Sequence, residues 1–143
     1  MAKATFKMPE EFLQKVSRLA DRTDEIVPRV LEAGAEVLEQ KVRSNLIASI
    51  GKGTKYESRS TGQLLSALGT SPAKLDKDGN HNVKIGFAEP RGDGNSNAKI
   101  ANVLEYGKAG QVPHPFLKPA VSASKNACAD AMKAKLDQEI ASI

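Results

Sequence analysis

Cys128, His81 and His114 are the residues whose types come nearest to catalysis, a thiol nucleophile with imidazoles as bases. Their settings argue against it. Cys128 falls on the apolar side of a long helical pattern, where a small buried residue is expected. His81 lies in the turn "DGNHN" and His114 between two prolines, and two histidines without a third ligand fall short of a metal site. "GKGTK" at 51–55 lacks the G-x-x-x-x-G-K-[ST] spacing of a phosphate loop, and it follows a helical pattern rather than a strand. "DKDGNHN" at 76–82 fails as a calcium loop. With Asp76 as first ligand, His81 takes the glycine position and Phe87 the closing glutamate; moving Gly79 to the glycine position puts Ile85 at the glutamate. "RGD" at 91–93 sits among glycines and asparagines and reads as an ordinary loop. No catalytic, cofactor-binding or metal-binding residue is nominated, and a protein that is not an enzyme is expected.

The elements that would have to position such residues are mainly helical. "MPEEFLQKVSRLAD" reads as a first helix, with Pro9 at its start, Glu10 and Glu11 at the positive end of the helix dipole, and Phe12, Val16 and Leu19 as its stripe. A second helix, capped by Thr23 or Asp24, runs to Ile50, with Val27, Leu31, Ala35, Leu38, Val42, Leu46 and Ile50 recurring every three or four residues. Pro28 is assigned to its first turn. Such a helix spans roughly 40 Å, long enough that part of it is expected against another subunit. "STGQLLSALGTS" is a short helix, capped by Ser60 or Thr61 and stopped by Gly69. The alternation of Val83, Ile85 and Phe87 marks a strand, with Asp78-Gly79 supplying a tight hairpin turn. "AKIANVLEYGK" is another short helix, apolar at Ile100, Val103, Leu104 and Tyr106. The last helix starts near Phe116 or Pro119, with Leu117, Val121, Ser124, Cys128, Met132, Leu136 and Ile140 facing inward. The glycine-rich stretches 51–60 and 89–97 are expected to be flexible loops.

The fold class expected is therefore α+β, a small antiparallel sheet packed against a long N-terminal and a long C-terminal helix. At 143 residues the chain suits a single domain, 1–143, with 1–22 as an N-terminal helical segment. One cysteine excludes an intrachain disulfide. No apolar run approaches the ~20 residues that span a bilayer, and "MAKATFKMPEEF" lacks the apolar core of a signal peptide, so a cytoplasm-like compartment is expected. The net charge of +4 is mild, and in helical stretches such as "EVLEQKVR" the signs alternate; with aromatics at 4% and no Trp, a base-stacking platform is not expected.

"QVPHPFLKPAV" at 111–121 is the most constrained stretch. Pro113 and Pro115 hold it extended, and Pro119 is tolerated in the first turn of the helix that follows. This strut delivers Phe116 to a set position. Phe116 either staples the chain's own core, which the physics favours, or shapes a surface for another protein.

"IANVLEYGKAGQVPHPFLKPAV" resembles the signature of the tail-component, or tail-completion, family of long-tailed bacteriophages and their prophages. There a short helix ends in a Glu-aromatic-Gly step, here Glu105, Tyr106 and Gly107. A variable loop then leads to a Pro-Phe-hydrophobic-basic-Pro-Ala motif, here Pro115, Phe116, Leu117, Lys118, Pro119 and Ala120, which opens the C-terminal helix. The chain departs from the pattern at Lys108, where a Thr often stands, and at Ile100, where an aromatic does. The resemblance implies a structural protein of the head–tail junction that forms a homo-oligomeric ring in the virion, monomeric when isolated if the ring needs a template. It implies docking to the head–tail connector and to tail terminator or tail tube proteins, with no membrane and no specific nucleic acid. It also implies assembly in the host cytoplasm and residence in the virion neck. The alternative is a small basic regulatory or nucleic-acid-binding module.

Overall fold

The computed structural model describes residues 9–50, 62–89 and 96–143. Two long helices form its frame, α2 (Thr23–Ser49) and α5 (Leu117–Ala141). They run antiparallel: Asn45 Nδ2 donates to the Phe116 carbonyl at one end, and Arg29 meets Glu139 at the other. Small residues set their closeness. A Cβ on Gly34 would lie 2.6 Å from Met132 Cγ and 3.7 Å from the Cys128 carbonyl, so the glycine of α2 leaves the space that the Met132 side chain of α5 fills.

Most of the expected stripe of α5 does face inward: Ser124 is buried, and Leu117, Cys128, Met132 and Ile140 are partly buried. Val121 and Leu136, also expected inside, are exposed, and Ala120 and Glu139 are buried in addition. On α2 the buried positions are Ile26, Gly34, Val42 and Leu46. Pro28 is sixth in this helix rather than in its first turn, and Thr23 does not cap it; its hydroxyl donates back to the Leu19 carbonyl.

α1 (Glu10–Asp21) joins α2 through a break at Arg22, with φ −106° and ψ 10°. It contributes no buried residue: all twelve are exposed except the half-buried Leu19. The expected helix exists, but its stripe does not face this chain's core.

Between the frame helices lie α3 (Gln63–Ala67), the strands β1 (Leu68–Thr70), β2 (Lys74–Leu75), β3 (His81–Asn82) and β4 (Ile85–Phe87), and α4 (Asn97–Tyr106). α3 begins after Gly62; the expected caps Ser60 and Thr61 lie outside the described residues. Gly69 does not stop α3, which ends at Ala67; it sits in β1, opposite Gly86.

The sheet is antiparallel, as expected, but split: β1 pairs with β4 and β2 with β3. The expected strand 83–87 breaks at Val83 and Lys84. The registers explain it. Ser71 N donates to the Lys84 carbonyl, and Lys74 next pairs with Asn82, so Pro72 and Ala73 together oppose Val83 alone. Pro72 has no N–H for the ladder, and the extra residue forms a bulge that bends one hairpin into two short pieces. The turn is also wider than the expected two-residue form. Asp76 Oδ1 accepts from Asp78 N and Asn80 N, and Gly79 has a positive φ while Asp78 does not.

Leu46, Leu64, Leu68, Ala101 and Phe116 anchor one core cluster, flanked by Ile85 and Phe87. Glu39 and Arg43 tie α2 to it. Thr70 donates to Glu39 at 2.6 Å, and Arg43 donates to Glu39 and to the carbonyls of Leu65 and Leu68. The Thr70 hydroxyl and then Arg43 hold the Glu39 carboxyl below the usual carboxylate value.

Candidate functional site

α5 begins without a capping side chain of its own. No Ser, Thr, Asp or Asn precedes it, and Phe116 occupies the N-cap position. A helix start leaves four backbone N–H groups without helical partners. Here they are Phe116, Leu117, Lys118 and residue 119, which is proline and has none. Glu105, eleven residues upstream at the end of α4, takes the other three. Its Oε2 accepts from Phe116 N at 2.7 Å and Leu117 N at 2.9 Å, and its Oε1 from Lys118 N at 3.0 Å. Both carboxylate oxygens and all the available donors are thereby matched.

Glu105 is only 3% exposed. Burial alone would push its carboxyl up, but the three backbone donors outweigh that, helped by the Lys118 charge, and hold it below the usual carboxylate value. The negative charge also sits at the positive end of the α5 dipole.

Neighbouring residues hold this cap in place. Gly107 ends α4 with φ 79° and ψ 178°, a conformation essentially confined to glycine. A Cβ there would lie 2.9 Å from Gln111 O and Pro113 N. Lys108 and Gln111 exchange backbone hydrogen bonds across a tight turn, and His114 N donates to the Leu104 carbonyl. The strut Pro113–Pro115 therefore returns along α4 and delivers Phe116 to the core. Phe116 is fully buried, edge-on to Phe87 at 6.1 Å between ring centres. Of the two readings of Phe116, the core staple is the one this geometry matches. Ala120 is buried with it, Leu117 is half-buried, and Pro115 and Pro119 are exposed. Tyr106 faces outward at 60% exposure, with the Lys118 ammonium 5.0 Å from its ring centre.

A cleft of about 280 Å³ lies between β4 and α4, lined by Phe87, Ala101, Asn102, Glu105, Tyr106 and Leu117 among others. Glu105 is already committed to backbone donors. His81, His114 and Cys128 are not brought together: His81 Nε2 lies 3.3 Å from Asp24 Oδ1 at the start of α2, His114 sits beside Leu104, and Cys128 lies level with Gly34. Among the described residues no group of three or more His, Cys, Asp or Glu could hold a metal ion, and no helix is long and apolar enough to cross a membrane. The "RGD" and "GKGTK" stretches lie outside the described residues, as does most of the two expected flexible loops. At the end of the second, Asn97 is buried in the first turn of α4 and donates to the Ala88 carbonyl.

The role of Glu105 is what sequence reasoning missed. The signal was an absence: a helix with "PHPF" before it and no capping side chain needs an acceptor from elsewhere, and Glu105 is the carboxylate nearest upstream.

No curated protein and no solved structure matches the chain. A family model, Bacteriophage HK97-gp10 tail-component, matches residues 10–107, which takes in α1 to the Glu105-Tyr106-Gly107 step; the Pro115–Ala120 segment follows beyond it. With more than half its length matched, the chain belongs to the HK97-gp10-like family, whose members are described as bacteriophage tail components.

Proposed function

We propose that this chain is a structural protein of the phage head–tail junction, a tail-completion component that works by self-association into a ring and by docking to neighbours. The observation that carries this reading is α1: an amphipathic helix, Phe12, Leu13, Val16 and Leu19 on one stripe, with no residue buried in its own chain. A twelve-residue helix is marginal alone, and its stripe is stabilised by burial against something. Within a tail-component family, that something is another virion protein or another copy of this chain.

The neighbours are then the head–tail connector on one side and the tail terminator or tube on the other. Assembly takes place in the host cytoplasm, and the mature location is the virion neck. The Glu105–Phe116 lock gives α5 a fixed direction relative to α4, as a repeated contact of set angle requires. No catalytic step belongs to this function. The nucleic-acid alternative draws less support, because Arg22, Arg29 and Arg43 are paired with this chain's own carboxylates.

Deleting the gene from an inducible phage tests the proposal. Electron micrographs of the lysate should show filled heads and separate tails; normally joined particles would overturn it.

A further inference from the structure

We propose that α1 of one copy seats on the strip Tyr106–Lys118–Val121–Lys125 of the next copy, and that this is the repeated contact of the assembly. The inference rests on the tail-component reading and names the surfaces that reading needs.

Both surfaces are exposed and apolar at their centres. On α1, Phe12 is 51% and Val16 47% exposed. On the other side, Tyr106 and Val121 are exposed, with Lys118 folded over the Tyr106 ring. Lys118, Val121 and Lys125 follow one another at helical spacing and so share a face of α5.

Their charges are complementary at the start of α1: the helix opens with Glu10 and Glu11 in its first turn, and its basic residues Lys15 and Arg18 come later. Residues 106–129 carry Lys108, Lys118 and Lys125 and no ionised carboxylate at all. Lysines at the rim would meet the glutamates while Phe12 and Val16 meet Tyr106 and Val121, an apolar centre with a polar rim.

The two surfaces start from opposite ends of the frame within one copy. α1 precedes Arg22, at the end of α2 that lies beside the α5 C-terminus, as the Arg29–Glu139 pair shows. The strip lies at the other end, where Asn45 meets Phe116. About twenty residues of α2, roughly 30 Å of helix, separate them. A contact between two different surfaces at opposite ends is heterologous, and repeating it yields a ring or a filament rather than a closed dimer.

The full chain tests this through its mass measured against concentration by sedimentation. One variant alters α1 (Phe12→Gln with Val16→Gln), and the other alters the strip (Lys118→Gln with Val121→Gln). All four side chains are exposed, and circular dichroism should show each variant as helical as the wild type. The wild type should grow in mass with concentration, and less so at high salt. Each variant alone should remain a monomer. Their equimolar mixture should give a one-to-one dimer and nothing larger, because each chain keeps one intact surface. If the strip variant assembles like the wild type while the α1 variant does not, α1 pairs with something other than the strip and the inference is overturned. A mixture that stays monomeric overturns it too. So does a wild type that is monomeric up to its solubility limit, a result that leaves the virion assignment standing, since the deletion lysate reads that separately.

Discussion

Phe116 and Phe12 both lie at a helix start, Phe116 directly after Pro115 and Phe12 three residues after Pro9, and they have opposite fates. Phe116 is wholly buried and Phe12 half-exposed. The difference lies in what surrounds each. Phe116 has a strut fixed by two prolines, a carboxylate that takes its backbone N–H, a ring partner in Phe87, and two long helices to lie between. Phe12 lies on α1, which is set off from α2 by the break at Arg22 and has no buried residue. One region is completed by the chain itself. The other is an exposed apolar surface, for which we propose a second molecule as cover.

The largest expected effect breaks the completed region. Phe116→Ala removes a fully buried ring from the centre of the core and should destabilise the fold by about 3–5 kcal/mol. A chemical denaturation series measures it, and a loss below about 1 kcal/mol would mean Phe116 is not the staple.

Glu105→Ala comes next. It strands three backbone donors at a buried helix start, and a loss of about 2–4 kcal/mol is expected. Glu105→Gln should cost less, because its carbonyl can still serve Phe116 and Leu117 while its amide faces Lys118 N. The pH dependence has a definite sign. A carboxyl held below its unfolded value contributes stability above the ordinary carboxylate range, and that contribution is lost as pH falls through the folded value. The wild type should therefore lose stability below about pH 4 more steeply than Glu105→Gln does. Parallel slopes for the two would show that the cap is not ionised. Glu39, shifted in the same direction, contributes to the background slope of both.

Gly107→Ala puts a Cβ into a glycine-only conformation and against Pro113, and should cost about 2–3 kcal/mol. Thermal melts would show this as a lowered midpoint with an unchanged helical signal in the folded baseline.

The frame of the fold was legible in the sequence because long helices announce themselves by period, and the α+β class followed from one alternating run beside them. Legibility stopped where packing depends on size or on distant partners. Val121 and Val42 look alike as apolar positions on long helices, yet Val121 is outside and Val42 inside, because the α2–α5 contact follows Gly34, Ala120 and Ser124. The strand at 83–87 was visible, but its break was hidden in Pro72, on the partner strand, and only pairing brings the two together. The motif residues Glu105 and Phe116 could be picked out by resemblance. That they form one unit, carboxylate to backbone N–H, needed the turn at Gly107 to be seen in three dimensions.

Phe12→Ala stands at the small end of the scale. Phe12 is exposed at the start of α1, so its loss should move stability by less than about 0.5 kcal/mol while weakening self-association. A melt as low as that of Phe116→Ala would erase the distinction between the two regions.

Amide hydrogen exchange, measured at a concentration where the chain is monomeric, reads both regions in one experiment. The amides of Phe116, Leu117 and Lys118 should be among the slowest, exchanging only when the core opens, and those of α1 should exchange fast by local fraying. Slow exchange throughout α1, or fast exchange at 116–118, would contradict the division between a region the chain completes and an exposed surface proposed to take a partner.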